Sequence, residues 1–205
     1  VEDAERLGMK VAAHCHAAKG VVNCVKAGVH NLIHCSWLAE DPKNMYDYDT
    51  DVADEMAEKG IYVDPTLALS HLNRIRGRTP VPGSGSASDP SRRFEILRDM
   101  WDRGVKFVTG MDSGMTNANF DDFAYIPQVM VEEMGISPME AIVCSTKTSA
   151  ECLGMEDEIG TLSASKSADV LIIDGDPSAD IKSLHRVDTI VSQGRIVKKE
   201  GILLI

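Results

Sequence analysis

The chain contains no apolar run approaching 18 residues, which excludes a membrane-spanning helix. It has no C-x-x-C pair and no detectable internal repeat, so a redox motif, a paired-cysteine zinc knuckle and a repeat array are all set aside. Basic residues are outnumbered, 21 against 32 acidic, giving a net charge of −11. Such a surface repels phosphate backbones and argues against a nucleic-acid partner. The five cysteines are an odd number; buried thiols in a reducing compartment, taken as the cytoplasm, fit them better than a disulfide framework. No secretion signal is visible and the chain does not open on methionine. It is expected to be part of a longer protein.

What is present is organised around short apolar runs that rise into polar residues. Val11-Ala12-Ala13 leads to His14, Asn31-Leu32-Ile33 leads to His34, and Val105 to Val108 leads to Gly110 and Asp112. Strands are expected at 10–14, 31–34, 61–65 and 105–110. Helices are expected at 18–27, 50–59 and from Asp89-Pro90 onward, with Thr50 as an N-cap. The spacing is that of β-α-β-α-β-α-β, a parallel α/β sheet and half of an eightfold barrel. Further helices are expected at 123–134, 137–145 and 147–153, the second opened by the capping-box pattern Ser137-Pro138-Met139-Glu140. From Asp169 the chain alternates short apolar runs with turns and reads as β. The stretch 80–86, rich in Pro, Gly and Ser, is expected to be a lid at the barrel mouth.

In such barrels the C-terminal strand ends converge on the active site. Two histidines and an aspartate from three such ends can build a metal site. Alternation along a strand puts residues 14 and 16 on one side, so both His14 and His16 are expected at the mouth. His30, at the opposite end of its strand, and His185, in the β region, are expected to be structural.

The segments V-A-A-H-C-H (11–16), L-I-H-C (32–35), V-D-P-T-L (63–67), F-V-T-G-M-D-S-G (107–114) and the tail G-T-L-S-A-S-K-S-A-D-V-L-I-I-D-G-D-P (160–177) resemble the amidohydrolase superfamily. The nearest branch is imidazolonepropionase-like and prolidase-like. The likeness runs along essentially the whole chain, departing at Ala164-Ser165-Lys166-Ser167, where the family has a proline-glycine-lysine turn. It implies the C-terminal half of a (β/α)8 barrel, residues 1–158, followed by part of a small flanking β-domain, residues 159–205. It also implies a divalent metal, zinc first, as one or two ions.

On this resemblance His14, His34 and Asp112 are the metal ligands. Asp112 is also the general base, and His34 a catalytic group able to polarise a carbonyl. His16, His71, Arg74 and Ser113 are assigned to substrate, with Thr116 beside them; the arginine fork suits a carboxylate. The implied reaction is hydrolysis of an amide or cyclic amide, a dipeptide or an imidazolone, by metal-activated water. Deamination, or a non-catalytic barrel remnant needing a second chain, are the alternatives. The fragment alone is expected to be inactive, and to form homo-oligomers or pair with a missing N-terminal half.

Overall fold

The computed structural model describes residues 1–41, 43–77, 90–114 and 117–204. A short helix, α1 (Glu2–Arg6), precedes β1 (Ala12–Ala17), α2 (Ala18–Ala27), β2 (Asn31–Leu38), α3 (Thr50–Lys59) and β3 (Tyr62–Asp64). Then follow α4 (Ala68–Ile75), α5 (Pro90–Asp102) and β4 (Lys106–Phe107). The four strands form one parallel sheet in the order β1-β2-β3-β4, as successive βα units of a barrel do. Sequence order equals spatial order, so every strand end of this sheet opens on the same rim.

Local chemistry explains the helix limits. α2 and α3 end where Gly28 and Gly60 enter the left-handed region, at φ 72° and 66°, a conformation that costs glycine little. The N-cap of α3 is Asp49, whose carboxylate accepts from the N–H groups of Asp51 and Val52. Thr50, expected to cap, is the first helical residue instead, because a carboxylate one position earlier already reaches those orphan donors.

β1 and β2 both run further than their apolar runs, through His16 to Ala17 and through His34 to Leu38. The extension is irregular: register shifts between Cys15 and Ala17, and His34, Cys35 and Trp37 take φ of 70°, 43° and 55°. The apolar pattern ends where the chain stops being a regular ladder, which is why the strands looked shorter in sequence.

The core lies between this sheet and the helices behind it. Leu32, Trp37, Val63 and Phe107 from the strands meet Val21 and Val25 of α2, Met56 of α3, and Leu97 and Met100 of α5. Trp37 is fully buried and its indole N–H points at the Met100 sulfur, 3.3 Å away. A 3-10 turn (Phe120–Asp122) leads into α6 (Tyr125–Met134), α7 (Pro138–Val143), a π-helical turn (Cys144–Thr148) and α8 (Ser149–Leu153). Ser137 and Glu140 complete the expected capping box at the start of α7.

Beyond α8, β5 (Val170–Ile173), β6 (Val187–Ser192), β7 (Arg195–Lys199) and β8 (Ile202–Leu203) form a separate antiparallel sheet. A 3-10 turn at Ile181–His185 packs it toward α6. All five cysteines are free thiols. Among the described residues no helix is long and apolar enough to cross a membrane. The expected lid, 80–86, lies outside the described residues, as does Thr116.

Candidate metal centre

The irregular ends of β1 and β2 bring three imidazoles together. The ring centroids of His14, His16 and His34 are separated by 4.8, 4.6 and 4.4 Å, and one ring nitrogen from each lies within 4.8 Å of the other two. His14 is exposed, His16 half-buried and His34 buried, so the cluster opens at one side. His14 and His16 share a face because they are two apart on β1; His34 arrives from β2 at the register position beside Cys15.

Crowding and burial act on His16 and His34 in one direction. Burial, helped by the two neighbouring imidazoles, holds His34 down at about 4. Burial likewise lowers His16, with His14 and Arg93 adding to it and Asp112 opposing. Both are therefore neutral near pH 7, with nitrogen lone pairs available to a cation.

The tautomer of His34 follows from its neighbours. Its Nδ1 is 2.7 Å from Thr66 Oγ1, and that hydroxyl already donates its proton to the Pro65 carbonyl at 2.8 Å. Thr66 must then accept from His34 Nδ1–H, which leaves Nε2 as the free lone pair. His16 Nδ1 is similarly 2.9 Å from Ser36 Oγ. A donor set of three imidazoles, two with outer hydrogen-bond partners, fits a divalent first-row cation such as zinc.

Asp112 follows β4 with φ 54°. It is exposed, close enough to act electrostatically on His16, His34 and Asp64, yet outside the tight histidine cluster. Ser113 stands half-buried in the turn directly after it. His71 and Arg74 lie on α4, where His71 packs on Tyr125 at 5.5 Å. Arg74 donates to His71 Nδ1 at 3.1 Å and to Glu133 at 2.6 Å. Both contacts are made by its Nη2. His30 hydrogen-bonds the Cys152 carbonyl and His185 hydrogen-bonds Gln128; both have structural partners, as expected.

Two supports, Asp64 and Arg93, were not singled out from the sequence. Asp64, at the end of β3, accepts from the N–H of Thr66 at 3.1 Å and of Gly110 at 2.9 Å. Burial, with Asp112 adding to it, raises its carboxyl to about 6 against those two hydrogen bonds. Arg93, on α5, donates to the Pro65 carbonyl at 2.6 Å, while its buried Nε has no hydrogen-bond partner. The Asp-Pro-Thr triplet at a strand end was a readable signal for the first. Nothing in the sequence marked Arg93, because its place depends on α5 folding back over the end of β3.

Parallel βα units with ligand-type side chains gathered at their C-terminal ends are the layout of barrel enzymes. The chain belongs to the amidohydrolase family, whose model matches residues 1–197. It is 26% identical over 210 residues to ochratoxinase of Aspergillus niger, covering 98% of this chain and 41% of that protein. It is 27% identical over 110 residues to imidazolonepropionase of Shouchella clausii, covering 52% of this chain and 25% of that protein. Among solved structures, a Xaa-Pro dipeptidase with methionine bound in its active site superposes with a TM-score of 0.80 at 27% identity, covering 96% of this chain and 47% of the other. The chain thus spans about two fifths of ochratoxinase and about half of the dipeptidase.

Proposed function

We propose that this chain supplies part of the active site of a metal-dependent hydrolase acting on amide bonds, with dipeptides or related N-acyl compounds as first candidates. The carrying observation is the convergence of His14, His16 and His34, with donor atoms within 4.8 Å of one another. Names among the relatives, ochratoxinase, imidazolonepropionase and Xaa-Pro dipeptidase, support the reaction class.

His14, His34 and Asp112 would hold the ion, with His16 near enough to serve as a further ligand or to face substrate. Bound there, zinc would supply an acidified water and polarise the scissile carbonyl. Asp112, exposed beside the cluster, is the group placed to take a proton from the attacking water. It returns that proton to the departing amine nitrogen, so that the amine leaves neutral. Ser113 is next to it and is assigned to substrate. Residues 1–158 are assigned to the barrel and 159–205 to the flanking β region.

The sheet ends on β1 and β4, and unpaired strand edges favour association. Activity is accordingly assigned to an assembled enzyme, through pairing with further barrel strands or self-association. The test is elemental analysis of the purified chain beside His14→Ala, His34→Ala and Asp112→Ala variants. Near-stoichiometric zinc in the parent, lost in the histidine variants, is expected; zinc retained in both would overturn the reading.

A further inference from the structure

The sequence Asp64-Pro65-Thr66 joins three otherwise separate parts of the site. Thr66 is buried and sits at φ 47°, a conformation that a β-branched residue adopts only under constraint. Two hydrogen bonds fix it there: its N–H to the Asp64 carboxylate, and its hydroxyl to the Pro65 carbonyl. The same carbonyl takes a second donor, Arg93 Nη2, at 2.6 Å. A carbonyl oxygen offers two lone pairs, and here Arg93 holds one and the Thr66 hydroxyl the other.

The result is a continuous chain of donors that ends on the metal cluster. Arg93 fixes where the Pro65 oxygen lies; that oxygen fixes where the Thr66 proton points; and Thr66, its one proton spent, can only accept from His34. We infer that Thr66 and Arg93 are positioning residues that lock His34 as its Nδ1–H tautomer, so that Nε2 alone is presented to the cluster. Local geometry favours this over a packing role. A strained backbone is a poor place for a β-branched side chain unless its hydroxyl is needed, and an arginine with a buried, unpaired Nε is a poor filler for a core. The consequence for metal binding rests on the function proposed above; the tautomer does not.

The chain labelled with 15N-histidine, freed of metal and held near pH 7.5, reports the tautomer directly through long-range 1H–15N correlations. The His34 signals are assigned by their loss in His34→Gln. The parent should show protonated Nδ1 and bare Nε2 at His34. Thr66→Val, which keeps the β-branch and removes the hydroxyl, should give a mixed or reversed tautomer, and Thr66→Ser should restore it. Arg93→Gln should shift the balance partway.

Zinc affinity, read by competition with a chromophoric chelator, should fall about tenfold or more in Thr66→Val and recover in Thr66→Ser, as outer-partner changes at metal-bound histidines do. Protonated Nε2 in the parent would overturn the inference without any variant, as would an unchanged tautomer in a folded Thr66→Val. An unchanged tautomer and affinity in Arg93→Gln would remove Arg93 from it. Failure of the parent to bind zinc, with the tautomer still governed by Thr66, would count against the proposed function alone.

Discussion

The carboxylate of Asp64 occupies the space that a side chain at position 110 would need. Its Oδ1 accepts the Gly110 N–H at 2.9 Å, and its Oδ2 and carboxyl carbon stand where a Cβ would be built. β3 and β4 are thereby joined just above their last ladder pair, two residues before Asp112. Gly110→Ala should therefore cost about 1–3 kcal/mol, the usual range for overpacking a filled site. Urea unfolding of Gly110→Ala, Asp64→Ala and the double variant provides the check. The two changes should be strongly non-additive, the double variant being more stable than the sum of the singles predicts.

Asp64 and His34 should also leave opposing marks on stability. Burial lowers His34 from 6.5 to about 4. Between those values the unfolded chain binds a proton that the folded chain refuses, so this contribution is complete above pH 6.5 and lost as pH falls toward 4. Burial raises Asp64 from 3.8 to about 6. Here the folded chain keeps a proton the unfolded chain has released, so the contribution is complete below pH 3.8 and lost as pH rises through 6. In metal-free protein the two slopes offset. Asp64→Asn should expose a rise in urea midpoint from pH 4 to 6.5, and His34→Gln a fall from pH 4 to 6.

Arg74 and His71 give a contrasting expectation. Arg74 pairs with Glu133 at 2.6 Å and His71 packs on Tyr125. Arg74→Ala should leave zinc stoichiometry at the parent level, and the same preparation should retain a tautomer signal at His34 identical to the parent's. A loss of zinc in Arg74→Ala would show that α4 is coupled to the cluster in a way its contacts do not reveal.

The thiols should separate by reactivity. Cys15 lies 8% exposed directly behind the histidine cluster, and burial, with Cys24 adding to it, pushes it up to about 11. At pH 8 only about one molecule in a thousand then carries the thiolate that reacts. Cys24 is half-buried, while Cys35, Cys144 and Cys152 are buried. An aromatic disulfide reagent added to native chain should modify Cys24 first, and the other four only as the protein unfolds.

The four-strand parallel sheet and its helices were legible because their apolar runs and glycine stops are local signals, as at Gly28 and Gly60. The convergence of His14, His16 and His34 was legible because each stands at the polar end of such a run. Strand length was misjudged because β1 and β2 continue past the apolar pattern on a distorted backbone that periodicity does not encode. The protein partners of His71 and Arg74 could not be read from the sequence, because a helix after the third strand faces many ways in one dimension. Only the packing of α4 against α6 decides that their partners are Tyr125 and Glu133. Arg93 was invisible for the complementary reason: its contact with Pro65 spans 28 residues and depends on how α5 returns to the sheet.

Five residues at the strand ends, His34, Cys35, Trp37, Thr66 and Asp112, hold positive φ without being glycine. Each such residue costs on the order of 1–3 kcal/mol, so this rim bears tension whether or not anything is bound. Mutational tolerance here should accordingly run against chemical similarity. At Cys35, a small residue, glycine and asparagine relieve the torsion that valine or isoleucine would aggravate, whereas at Trp37 the packing of the buried indole outweighs it. A deep substitution library screened for folded protein would find position 35 accepting small, left-handed-tolerant residues, while the sheet below it accepts their β-branched opposites.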